Sequence, residues 1–277
     1  MLYYKVYRMK LQIVSDLHLE FWAHKSKFQF FETSASILIL AGDICCCGSD
    51  KDFDIFKRFI DEVAPKYIYI IMVSGNHEYY ADQSKADVQL IDKKITAYFA
   101  AYNKANKTGA RLYYLNNSTL RIQQGNTTYI FVGSTLWSDI KPEHYAQAAE
   151  QMNDYRSILY DGRRLKPADV GGMFVRNRAY LTRQINAIAK EATLSNMKYK
   201  VIVITHHKPY VSHLRPFVNF AYESDLTPLF RAPVVLWAYG HTHVADDSIQ
   251  GKTRLYSNPK GYPHQHTKFN ANYTVRI

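Results

Sequence analysis

The sequence predicts an α/β protein whose strands outnumber those of one simple parallel sheet. Three observations predict it. Short, continuously apolar runs alternate with longer stretches of helical periodicity. The apolar runs do not alternate with polar residues, so they read as strands buried on both faces. Five of them end in polar residues of one chemical type, as ligand-bearing strand ends do at the rim of an open α/β sheet.

The elements follow in order. Residues 11–14 form an apolar run ending in Ser-Asp, and residues 37–41 one ending in Gly-Asp. Residues 52–63 suit a helix that Pro65 stops. Residues 67–73 form a strand ending in Ser-Gly-Asn-His. Residues 84–102 suit a second helix, with Val88, Ile91, Ile95, Phe99 and Tyr102 at helical spacing. Strands are expected at 112–115 and 128–132. Residues 174–192 suit a third helix, with Leu181, Ile185, Ile188 and Ala192 on one stripe. These stripes are read as core-facing. Strands at 201–204 and 234–239 end in Thr-His-His and Gly-His-Thr-His. Strands at 254–257 and 273–277 complete the set. Strands not each followed by a helix imply a second sheet.

Bulk properties set the bounds. A chain of 277 residues, 47% hydrophobic and 14% aromatic, can bury a sizeable core and does not have a disordered composition. There is no internal repeat or low-complexity linker. The polar clusters run from residue 16 to residue 243, so residues 1–277 are read as a single domain. The formal charge of +11 favours anionic partners. Residues 151–200 hold ten basic and four acidic side chains, among them Arg163, Arg164, Lys166, Arg176, Arg178 and Arg183. That segment reads first as a solvated helical surface and second as an anion-binding face. Cys45, Cys46 and Cys47 are adjacent and have no distant partner, so no disulfide framework is expected. They are read as small buried hydrophobes. The first ten residues lack a signal-peptide pattern, and no run of about 18 apolar residues is present. A cytoplasmic protein with no membrane association is expected.

The clusters carry the chemistry. They are Asp16-x-His18, Gly42-Asp43, Gly75-Asn76-His77-Glu78, His206-His207 and Gly240-His241-Thr242-His243. Each alone is weak to moderate, and only the Gly-His-Thr-His run is strong. Their conjunction supplies carboxylates, imidazoles and a carboxamide, the donors that hold two divalent metals side by side. Asp43 can bridge two cations because its oxygens carry spare lone pairs. Asn76 offers a neutral oxygen, which frees His77 to act as a proton donor.

In this order the motifs resemble those of the calcineurin-like metallophosphoesterase superfamily, of which this would be a bacterial-type single-domain phosphoesterase. The resemblance spans nearly the whole chain. It implies a four-layer αββα sandwich of two mixed β-sheets flanked by helices. It implies one metal held by Asp16, His18, Asp43 and His243, and a second held by Asp43, Asn76, His206 and His241. His77 would protonate the leaving group or stabilise the transition state. Asn76 and His207 are also candidates for touching substrate, His207 equally for packing. Glu78 would orient His77 or a ligand from behind. The cofactors expected are two divalent ions drawn from Mn, Fe, Zn, Co or Ni. Metals about 3.5–4 Å apart would lower the pKa of a bridging water, and the resulting hydroxide would attack phosphorus in line.

The expected function is therefore hydrolysis of phosphate mono- or diesters, with a phosphorylated small molecule or nucleotide as partner. A nuclease acting on single-stranded or terminal nucleic acid is one alternative. A non-catalytic metal-bound interaction module is another. Gly42-Asp43 lacks the Asp-Arg-Gly continuation of the serine/threonine phosphoprotein phosphatases, which disfavours that activity. Weaker resemblances to a bacterial-type branch mark Trp137, Asn153, Asp154 and Tyr262 as residues for a pocket wall or for packing.

Overall fold

Apolar runs buried on two faces need a cover on each, and the computed structural model supplies two different covers. It describes residues 9–22, 35–81, 86–106, 109–212 and 219–277. The amino-terminal stretch, apart from Met9 and Lys10, and the expected helix start at Ser84 lie outside the described residues.

In chain order the elements are β1 (Lys10–Val14), β2 (Ile37–Ala41), α1 (Asp50–Val63), β3 (Tyr69–Val73), α2 (Val88–Ala105) and β4 (Arg111–Tyr114). β5 (Ser118–Gln124), β6 (Thr127–Gly133), α3 (Tyr145–Gln151), α4 (Asp154–Ser157), β7 (Leu159–Tyr160), β8 (Arg163–Arg164) and α5 (Pro167–Thr193) follow. The chain continues through β9 (Lys198–Ile204), α6 (Asn219–Tyr222), β10 (Val234–Tyr239), β11 (Asp246–Gln250), β12 (Thr253–Ser257) and β13 (Thr274–Arg276).

Two mixed sheets carry the fold. The first has the order β13-β1-β2-β3-β4 and is parallel except for β13. The second has the order β11-β12-β10-β9-β6-β5, with both edge strands antiparallel. Alternate residues of one strand enter different cores. Leu11, Ile13, Ile37 and Ile39 meet Phe131, Ile202, Ile204 and Leu236 between the sheets. Val14, Leu38, Leu40, Ile70 and Met72 belong to the core that holds the apolar faces of α1 and α2, and Val201 and Val203 to that of α5. This is the expected sandwich of two mixed sheets flanked by helices.

Element ends follow local chemistry. Ser49 caps α1 by accepting from the backbone N–H of Asp52 at 3.1 Å, and Asp87 caps α2 by accepting from Leu90 N–H at 3.0 Å. Helix α5 starts at Pro167, seven residues before the expected 174. Its first turns contain Gly171 and Gly172, poor helix formers, but Val170 and Met173 are buried and hold them. The strand at 67–73 is shorter than expected, because Tyr67 closes a 3-10 turn over Ala64–Lys66. No helix among the described residues is long and apolar enough to cross a membrane.

Candidate metal centre

Parallel strands end side by side, so the loops that follow them share one rim. Asp16 and His18 follow β1, Asp43 follows β2, and Asn76 and His77 follow β3. His206 follows β9, and His241 and His243 follow β10. Asp16, His18, Asp43, His241 and His243 all have φ between 47° and 67°. Residues other than glycine seldom hold that left-handed backbone, which costs on the order of 1–3 kcal/mol each. The loops also approach closely. A Cβ added to Gly240 would stand 2.6 Å from Asp16 Oδ2, and one added to Gly75 would collide with Asp43 and His206. Glycine is required there by contact, not by backbone conformation.

Four groups of donor atoms converge among the described residues, two of them through His77, with His18 and Asp43 or with Glu20 and Cys46, and two without it. Asp16, His18 and His243 form one, and Asp43, His206 and His241 the other, with the ligand atoms of each group within 4.8 Å of one another. Asp43 Oδ2 stands 3.9 Å from His18 Nε2 and 3.2 Å from His206 Nε2, so a single carboxylate oxygen faces both groups. Asn76 Oδ1 lies 3.2 Å from His206 Nε2.

The hydrogen-bond partners of the imidazoles suit this set to cations. His18 Nδ1 faces the Glu20 carboxylate at 3.3 Å, and His243 Nδ1 faces the Gln265 carbonyl oxygen at 2.6 Å. A proton on each Nδ1 leaves Nε2 free as a metal donor. The two Nε2 atoms stand 3.1 Å apart, and His243 Nε2 lies 3.3 Å from Asp16 Oδ1. His206 repeats the pattern, with Nδ1 donating to Ala41 O at 2.9 Å and Nε2 facing two oxygens. His241 Nε2 is buried and has no hydrogen-bond partner among the described residues. Acceptors crowded on acceptors call for a positive ion between them. The residues present fit two divalent metals.

Second partners set these side chains. Asn76 Nδ2 donates to buried Asp154 Oδ1 at 2.8 Å, and Tyr80 donates to the same oxygen at 2.7 Å. That bond turns the Asn76 oxygen toward His206. Glu78 accepts from the backbone N–H groups of Asp43, Ile44 and Gly75 at 2.9, 2.7 and 2.6 Å. It braces the two loops and touches no imidazole in these bonds. His241 N donates to Asp16 Oδ1 at 2.9 Å, tying the two sheets together.

His77 stands beside the donor groups. Its backbone N–H donates to Asp43 Oδ1 at 2.8 Å. Its ring stacks on Tyr80, Nδ1 lies 3.1 Å from Glu20 Oε1, and Nε2 lies 3.1 Å from the Tyr262 hydroxyl. Burial pushes its pKa down, but the Asp43 charge and the Glu20 bond outweigh it and raise the pKa to about 9. Burial pushes Glu20 up, yet its bonds from His18 and His77 hold it at about 2. In the chain alone the two form an ion pair.

A cavity of about 170 Å³ lies over Asp43, Asn76, His241 and His243. A second cavity of about 570 Å³ adjoins it, and the two share His77, Tyr80, Asn153 and Tyr262. The remaining sequence candidates scatter. Asn153 and Tyr262 line the cavities, while Asp154 works behind Asn76. His207 lies behind His241, with ring centroids 4.1 Å apart, and lines neither cavity. Trp137 packs against Tyr79 and His207. The three cysteines are free and buried, and burial pushes their thiols well up.

Sequence reasoning missed Glu20 and Gln265. Glu20 continues the Asp16-x-His18 alternation by one step, a signal that could have found it. Gln265 lies in an irregular stretch after β12 and carries no such signal.

Known proteins align with this reading. A sequence profile described as calcineurin-like phosphoesterase matches residues 9–245. A protein of Acanthamoeba polyphaga mimivirus is 28% identical over 94% of each chain. The crystal structure of a phosphopantetheinyl hydrolase from Mycobacterium tuberculosis superposes with a TM-score of 0.64, at 16% identity, over 98% of this chain and 96% of that one. At that identity the likeness concerns the fold.

Proposed function

The chain belongs to the calcineurin-like phosphoesterase family, and on that premise we propose that it hydrolyses phosphate mono- or diesters with two divalent metals and with His77 as proton donor. One observation carries the proposal. Acceptor atoms from both sheets converge in two groups that share Asp43, and an imidazole stands at their edge.

Asp16, His18, Asp43 and His243 would hold one ion, and Asp43, Asn76, His206 and His241 the other. Bound there, the ions would supply hydroxide near neutral pH and neutralise charge on the phosphoryl oxygens. The chain's own residues do the rest. A water oxygen bonds to phosphorus while the bond from phosphorus to the alcohol oxygen breaks, and the alcohol oxygen takes its proton from His77 Nε2. Glu20 holds Nδ1 of His77, which fixes the ring and leaves Nε2 toward the cavities. The Tyr262 hydroxyl stands 3.1 Å from Nε2, where the alcohol oxygen would take its place. Three free, buried cysteines support a reducing, cytoplasmic setting.

The test is hydrolysis of bis-p-nitrophenyl phosphate and p-nitrophenyl phosphate, with Mn²⁺ and with chelator, on the parent and on His77→Asn. The expected result is metal-dependent turnover that falls by about 10²–10⁴-fold in the variant while bound metal is retained. A parent that binds metal and turns over neither ester would reject the proposal in favour of a binding module.

A further inference from the structure

We infer that the larger cavity receives the alcohol half of the phosphoester and that this half is uncharged or cationic, never anionic; the inference rests on the hydrolase reading above. The small cavity holds the donor atoms for the metals, so the phosphoryl group belongs there. The alcohol oxygen must come within about 2.6–3.2 Å of His77 to take its proton. Whatever that oxygen carries then extends past His77, across the residues the two cavities share. The second cavity, at about 570 Å³, is of ordinary ligand size.

Its walls choose the chemistry. The Glu20 and Asp52 carboxylates and the Ser49 hydroxyl line it. So do the rings of Phe21, Tyr262 and His264, with Phe21 edge-on to Tyr262 at 5.7 Å and His264 stacked on Tyr262 at 6.0 Å. Asp52 takes a bond from Ser49 Oγ at 2.6 Å and, as a carboxylate, keeps acceptor capacity for a ligand donor.

Among the described residues, no lysine or arginine lines either cavity. Lys51, Lys57 and Arg58 line a neighbouring cavity that shares Glu20 and Asp52 with this one. Arg163 pairs with Asp169, Arg121 with Glu191, and Arg254 with Asp247, each at 2.7 Å. A second phosphate beyond His77, as in a polynucleotide or a nucleoside polyphosphate, would face the Asp52 carboxylate and a Glu20 carboxylate already paired with His77, with no lysine or arginine from these walls. A neutral ring or an ammonium would find rings and carboxylates. The wall therefore argues against the nuclease reading that net charge alone allows.

The test is calorimetric binding of three uncleavable phosphonates to the full chain loaded with Mn²⁺: 4-(aminomethyl)benzylphosphonate, benzylphosphonate and 4-carboxybenzylphosphonate. The first two should bind at least about ten-fold tighter than the third. Asp52→Lys should shrink that gap by strengthening the carboxylated ligand, and Asp52→Asn, which keeps the shape, should shrink it less. Equal affinities, tightest binding of the carboxylated ligand, or no binding of any would overturn the inference. Turnover of the matching phosphate esters separates the two readings. Absent turnover with the affinity order intact rejects the hydrolase and keeps the pocket. Metal-dependent turnover without the order rejects the pocket alone.

Discussion

The two sheets bring different chemistry to the rim and secure it differently. Asp16, Asp43 and Asn76, the oxygen donors, follow strands of the five-stranded sheet, and of the imidazole donors only His18 shares that side. His206, His241 and His243 follow strands of the six-stranded sheet. The oxygen side is braced from within, by Glu78 across three backbone N–H groups and by Asp154 behind Asn76. The imidazole side has lighter support. Ala41 O holds His206, Gln265 holds His243, and His241 Nε2 has no partner among the described residues. The difference teaches where a cation matters most. The oxygen loops are held by several hydrogen bonds of the chain itself, whereas the imidazole donors have fewer such partners.

Replacements should break that asymmetry in graded ways. Asp43→Asn removes the charge both groups share, so both ions should be lost, with affinity down by more than about 100-fold and hydrolysis with it. Metal analysis after dialysis checks this. Retention of both ions would mean that Asp43 does not bridge. Glu78→Gln cannot satisfy three N–H donors, and the oxygen side should lose about 3 kcal/mol of stability. Denaturant unfolding of the metal-free chain reads it, and an unchanged midpoint would deny the brace.

Asp154→Ala and Gln265→Leu sharpen the comparison. The first should weaken only the ion nearest Asn76, by about 10–100-fold, and the second only the ion nearest His243, by about 10-fold. Two-site titration with Mn²⁺ distinguishes them, and equal losses at both sites would show that the halves are not independent. The smallest effect is on pH. Asp43 and then Glu20 raise the His77 pKa, and under the proposed role His77 acts in its protonated form. Activity is therefore lost as pH rises through that pKa, and Glu20→Gln should move this alkaline limb of kcat to lower pH. A limb that stays in place would remove Glu20 from the reaction.

The parts legible in the sequence are those that repeat one physical pattern. Runs such as 37–41 and 234–239 are apolar without interruption because one face meets the other sheet and one meets a helix. Their polar ends could only be rim. β5 and β11 escaped notice because they are edge strands, half exposed and rich in Gln, Ser and Asp, with no apolar run to mark them. The start of α5 was hidden because tertiary burial of Val170 and Met173 overrides local propensity. At the site, the residues with ligand chemistry sat where strand ends required. Gln265 acts by reaching across the fold, and spacing along the chain does not encode such a reach, whereas Glu20 stands one step along the Asp16-x-His18 alternation and was passed over.

The left-handed backbone at five of the donor positions has a consequence for how this protein can be improved. Asparagine or glycine relaxes such a conformation more readily than aspartate or histidine does. Among metal-free chains, variants that abandon a donor should therefore often melt higher than the parent. Tolerance of heat and capacity for the reaction pull these positions in opposite directions. A library screened only for survival on heating would lose its phosphoester chemistry before it lost its sandwich.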